Sequence, residues 1–153
     1  MQTSKLKGKP MQHCDVVTLE VIRGAARAAQ AEMEALLERT AMSAFIREKK
    51  DFYTALFDRN GAMAVGSDLP IFGDIVAPVA AQYPLESMQE GDLYWYNDCY
   101  GSNGAVSHSN DQVFLAPVFF AGERIGFVMG WAHFSDIGGL RPGSLSPDAT
   151  DHF

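Results

Sequence analysis

The stretch QVFLAPVFF, Gln112 to Phe120, runs through AGE, Ala121 to Glu123, into RIGFVMGW, Arg124 to Trp131. Two apolar runs joined by a short glycine-containing turn read as a β-hairpin. Both runs are apolar at nearly every position, which predicts burial on both faces of the pair. Pro117 lacks the amide hydrogen a ladder needs and marks an edge or a bulge. Facing residues in an antiparallel pair have residue numbers of constant sum. A turn centred on Gly122 therefore sets Asp111 opposite His133 at the open end, with Cβ atoms roughly 4.5–5.5 Å apart. His108, three residues before Asp111, reaches the same end. A bulge at Pro117 would slide this register by one residue.

Upstream, Val16 to about Met42 has a helical period. Leu19, Ile22, Ala26, Ala29, Met33 and Leu36 fall on one face and are predicted to cover a core. Arg23, Arg27, Gln30, Glu34 and Glu38 fill the other face. Residues 51–58 (DFYTALFD) have strand composition, Asn60-Gly61 signals a turn, and Met63–Val65 is the return strand. Between Pro70 and Pro84 a short helix is expected near Ile75–Gln82. Asp92–Asn97 (DLYWYN) reads as a short aromatic strand. Residues 1–15 read as a flexible arm. After His133 the chain is loop-like through Gly138-Gly139, Pro142-Gly143 and Ser146-Pro147, with no closing helix or strand. The fold class is α+β, a long N-terminal helix packed on a mostly antiparallel sheet. Residues 16–153 are expected to form an incomplete, truncated part of a larger domain.

The chain has 153 residues, 47% hydrophobic and 20% charged, which is globular composition long enough for a core. Its net charge of −7 disfavours nucleic acid and anionic membranes as partners. No apolar run is long enough for a secretory signal or a membrane span, so the cytoplasm is the expected compartment. Two distant cysteines, Cys14 and Cys99, make neither a disulfide framework nor a cysteine zinc site. Cys99 lacks a neighbouring cation to activate it and reads as structural. The run from Tyr100 to Gly104 reads as a turn, and Arg47 to Lys50 as a solvated connector.

The hairpin argument gathers His108, Asp111 and His133. Two imidazoles and a carboxylate are an open site for zinc, manganese or ferrous iron, with positions left for water or substrate. Spacing alone also fits hydrogen-bonded surface histidines. Asp136, three residues after His133, is placed to orient a ligand or carry a proton as general base.

Several motifs in order resemble the hydantoinase B/oxoprolinase family. They are Thr18 to Gly24, Glu38 to Ser43, Arg47 to Phe52 with Ala55 to Asp58, and Asn97 to Tyr100. Further on come His108 to Asp111, Ala132 to Gly139 and Pro142 to Pro147. The likeness runs from about Val16 to the last residue. The family holds N-methylhydantoinase, 5-oxoprolinase and caprolactamase components and acetone and acetophenone carboxylases, mostly several times longer. The resemblance implies a divalent metal on His108, Asp111 and His133, with Asp51 matching a further carboxylate. It implies a hydantoinase A-type partner subunit that binds ATP and activates a small carbonyl or cyclic-amide substrate. The expected reaction is hydrolysis of a cyclic amide. An ATP-dependent ketone carboxylase and a non-catalytic assembly module are the alternatives. The chain departs from the family pattern at Cys99, usually proline, and at Ser109-Asn110, usually Leu-Pro.

Overall fold

The computed structural model describes residues 14–68, 73–143, 146–148 and 150. The expected hairpin, β4 (Asp111–Phe120) with β5 (Glu123–His133), lies inside a five-stranded sheet. β1 (Phe52–Asp58) and β2 (Met63–Gly66) extend it on one side and β3 (Tyr94–Tyr96) on the other, in the order β2-β1-β5-β4-β3. Every pairing is antiparallel. The helices are α1 (Val16–Thr40), α2 (Ala44–Arg47) and α3 (Ala77–Gln82). The expected α+β class holds, and each sequence-predicted element lies within two residues or so of its expected place. The arm before Cys14 and Ser144-Leu145 of the last motif lie outside the described residues.

The hairpin register confirms the pairing of Asp111 with His133, by a route the sequence did not suggest. Phe120 pairs with Glu123, so the turn has two residues, Ala121 and Gly122, both at positive φ (52° and 79°). Such a turn matches the right-handed twist of the strands. It centres the hairpin half a residue before Gly122. Val118 then pairs with Gly126 while Phe119 pairs with Arg124, so Ile125 is an extra residue, a bulge. The bulge shifts the register back, and the expected partners meet. Pro117 carries no bulge: it faces Phe127 and lies beyond Val113–Leu115, the part of β4 that pairs with β3. Its missing donor therefore falls on an edge stretch.

Alternation along the strands separates two faces. On one, Val113, Leu115, Phe127, Met129, Tyr53, Ala55 and Phe57 are buried against Ile75, Val76, Val79, Met88 and Val106. Each large side chain buried this way contributes about 1.5–3 kcal/mol. The other face is covered in part. Phe52 and Ala132 pack with Ile46, Leu37, Ala41 and Phe134. Phe114, Ala116, Val118, Val128 and Gly130 stay half-buried. The expectation of two buried faces is thus corrected. α1 lies over β1 and β2, and among the described residues nothing seals the β4 side.

The phase of α1 is also corrected. Gln30, assigned to the polar face, is its buried residue, while Leu19, Ile22, Ala29 and Leu36 are exposed. Ala26 and Met33 are half-buried. The Gln30 amide donates to Glu34 Oε1 (2.7 Å), Thr54 Oγ1 (3.0 Å) and Ser67 Oγ (3.2 Å). Ser67 also donates to Glu34 Oε1. This polar patch on the sheet sets the rotation of the helix, because buried polar groups must be paired. Among the described residues, no helix is long and apolar enough to cross a membrane.

Candidate metal centre

The site is assembled at one end of the sheet. β4 begins with Asp111 and β5 ends with His133, and the register makes them partners. Phe52 pairs with Ala132, one row further in, and the His133 amide donates to the Asp51 carbonyl (3.0 Å). Asp51, His133 and Asp111 therefore form one row across three neighbouring strands. By strand alternation that row shares a face with Tyr53, Trp131 and Val113.

The side chains of Asp111 and His133 are both buried, and Asp111 Oδ1 lies 2.8 Å from His133 Nδ1. A carboxylate can only accept, so the imidazole proton sits on Nδ1. The second oxygen, Oδ2, accepts from the His108 amide (3.1 Å), and the Asp111 amide donates to the His108 carbonyl (2.9 Å). This tight turn places the exposed His108 ring edge-on to His133, with centroids 5.7 Å apart. Phe45, at the start of α2, packs tilted against His133 at 5.6 Å.

The donor types suit a divalent ion, and the Asp111–His133 contact brings a carboxylate oxygen and a ring nitrogen to one point. As the side chains stand, no group of three or more His, Cys, Asp or Glu residues has ligand geometry among the described residues. His108 is the exposed member, with space to turn.

Three of the expected residues, His108, Asp111 and His133, come together, and Asp51 joins them through its backbone. Asp136 does not touch them. Its Oδ1 accepts from the Gly138 amide (2.9 Å), and it lines a hollow of about 510 Å³ with Leu37, Ile46, Phe114 and Phe134. The Tyr100–Gly104 stretch is a turn as expected. Asp98 accepts from the amides of Gly101 and Tyr100, and these two bonds hold its carboxyl below the ordinary range. Cys99 is half-buried, its Sγ 3.8 Å from Ser109 Oγ. Sequence reasoning missed Phe45 and the buried Asn110. Asn110 was reachable, since the hairpin register continued one step sets it opposite Phe134.

Residues 15–153 match the model for hydantoinase B/oxoprolinase. The chain is 34% identical over 145 residues to caprolactamase subunit beta of Pseudomonas jessenii, covering 92% of this chain and 24% of that one. It is 32% identical over 138 residues to 5-oxoprolinase 1 of Arabidopsis thaliana, covering 87% of this chain and 11% of that one. The fold matches the crystal structure of the ATP-dependent caprolactamase from Pseudomonas jessenii with a TM-score of 0.72, over 84% of this chain and 22% of that one. An acetone carboxylase structure, 22% identical, shares the fold with a TM-score of 0.64 over 82% of this chain and 17% of that one. The chain thus spans about a quarter or less of the length of these relatives. Its match to the family model over nearly its whole length shows that the chain belongs to the hydantoinase B/oxoprolinase family.

Proposed function

We propose that this chain is the metal-holding part of an ATP-dependent enzyme that hydrolyses the C–N bond of a cyclic amide. It works with a hydantoinase A-type subunit that binds ATP and activates the substrate. The observation that carries this reading is the buried Asp111–His133 hydrogen bond at 2.8 Å, with the His108 ring beside it, in a chain of this family. The ligands are His108, Asp111 and His133, with Asp51 at the end of the same row. Zinc or manganese suits these donors best, and ferrous iron next. The bound ion would polarise a carbonyl oxygen and stabilise the negative charge that develops there.

The chain's own residues prepare the site. Asp111 and His133 hold each other through Oδ1 and Nδ1, which keeps carboxylate and ring side by side. The His108 amide bonds Asp111 and the Phe45 ring packs on His133, which holds the pair in place. Asp136, three residues beyond His133, would carry the proton once its loop turns it from the hollow it lines toward the centre. Likeness to the caprolactamase beta subunit at 34% identity favours amide hydrolysis. The ketone carboxylase reading has the shared fold behind it. The half-covered sheet and the exposed stripe of α1 fit a chain that acts joined to further polypeptide, so isolated activity is not expected.

Metal content by mass spectrometry tests the centre. Wild type is expected to retain a stoichiometric divalent ion, and His108→Ala and His133→Ala to lose most of it. Equal metal in all three proteins would overturn the reading. With an ATP-binding partner, opening of a lactam ring supports the hydrolase, and fixation of labelled bicarbonate supports the carboxylase. Asp136→Asn should keep the metal and lower turnover.

A further inference from the structure

We infer that Asn110 is a positioning residue for this centre, its carboxamide locking the end of β5 to the turn that carries His108 and Asp111. The inference rests on the metal reading above. Asp111 and His133 are the last ladder pair, where strands ordinarily fray. One step further out, Phe134 N–H donates to the Asn110 carbonyl (2.8 Å). The Asn110 side chain then donates from Nδ2 to the Phe134 carbonyl (2.7 Å). The row beyond the ligands is therefore closed by two bonds. Asn110 is 5% exposed, although Ser107, His108 and Ser109 before it are all exposed. A buried carboxamide in an otherwise wet turn costs desolvation unless its bonds are made, and here they join the two ligand-bearing segments.

The opposite side of the same turn is tied separately. The Ser109 carbonyl accepts from Asn97 Nδ2 (2.7 Å) and Gln112 Nε2 (2.8 Å), and Gln112 Oε1 accepts from Trp95 Nε1 (2.6 Å). Those bonds hold the turn to β3 and β4. Asn110 holds it to β5, and so sets the spacing between His133 and the residues at 108 and 111. Removing it leaves every proposed ligand in the sequence but releases one strand end.

The test uses the full 153-residue chain with Co²⁺ alone as the probe, added stepwise and followed by its visible absorption. Asn110→Ala should weaken binding by about tenfold or more, as loss of a residue supporting a ligand does, and should alter the band pattern. Asn110→Asp, of the same size but without the donor, serves if the alanine variant folds poorly. Gln30→Ala is the control: it deletes a buried hydrogen bond on α1 and lowers stability, yet leaves Co²⁺ binding unchanged. A metal-free readout accompanies these. At fixed pH, imidazole nitrogen shifts should show the Nδ1–H form of His133 in wild type and a mixture in Asn110→Ala. Wild-type affinity and an unmixed His133 tautomer in both Asn110 variants would overturn the inference while leaving the metal centre intact. A wild type that takes up no Co²⁺ would instead overturn the metal reading and this inference with it.

Discussion

His133 has two ring nitrogens, and Asp111 occupies one of them. That single bond decides what the imidazole can do. Held through Nδ1, the ring keeps a fixed place beside the carboxylate. Asp111 also receives the His108 amide, so one carboxylate organises both histidines. Asp111→Ala would leave a buried imidazole N–H and a backbone N–H without an acceptor. We expect it to cost about 2–3 kcal/mol, the penalty for orphaned buried donors, measured by urea denaturation. A loss below about 0.5 kcal/mol, the level of an ordinary surface substitution, would show that the pair is solvated. Ala121 is a second case at this scale. It sits at φ 52° in the hairpin turn, a conformation that asparagine and glycine tolerate better. Ala121→Asn should raise stability by about 0.5–1 kcal/mol, and an unchanged denaturation midpoint would contradict this.

Among the elements, α1 has its start written in a capping residue. The Asp15 carboxylate accepts from the Thr18 hydroxyl (2.6 Å) and the Thr18 amide (3.0 Å). These bonds, the hydroxyl's first, hold its pKa below the ordinary 3.8. A carboxyl depressed by folding stabilises the folded state above the unfolded value. That contribution disappears as pH falls through the folded one. Helix content at the N-terminus should therefore begin to fall near pH 3.8 and continue falling below it. Asp15→Asn keeps a capping oxygen that does not titrate. Circular dichroism during acid titration should show this component in wild type and not in the variant. Identical acid profiles would remove Asp15 from the account. The hairpin teaches a different lesson. Its turn is one residue shorter than the one read from Ala121 to Glu123, which moves the centre by half a residue, and its bulge falls at Ile125 and not at Pro117. The two displacements cancel, so Asp111 still meets His133.

At the scale of the whole molecule the two sheet faces carry unequal loads. Met129 and Leu115 are fully enclosed, whereas Val128 and Phe114, their neighbours in sequence, point to the part-covered face. Met129→Ala should cost about 2–5 kcal/mol. Val128→Ala should cost roughly 1 kcal/mol or less, because its side chain is already part-exposed. Equal losses would mean that the second face is sealed in solution by another copy or another chain. Concentration dependence of the midpoint would then identify a second copy.

The residues themselves determined the strands, the helix boundaries, the turn at Asn60-Gly61 and the meeting of His108, Asp111 and His133. These depend on periods and spacings of neighbouring residues, which local backbone geometry sets. Tertiary structure decided what depends on a partner distant in the chain. Gln30, and not the apolar stripe of Leu19 and Ile22, faces the sheet because Thr54 and Ser67 offer it hydrogen bonds. Asp51 reaches the centre because β1 pairs with β5, an adjacency no spacing within either strand encodes. The covered face of the hairpin is likewise set by where α3 and the 73–106 segment pack, since two apolar faces look alike until one of them is buried.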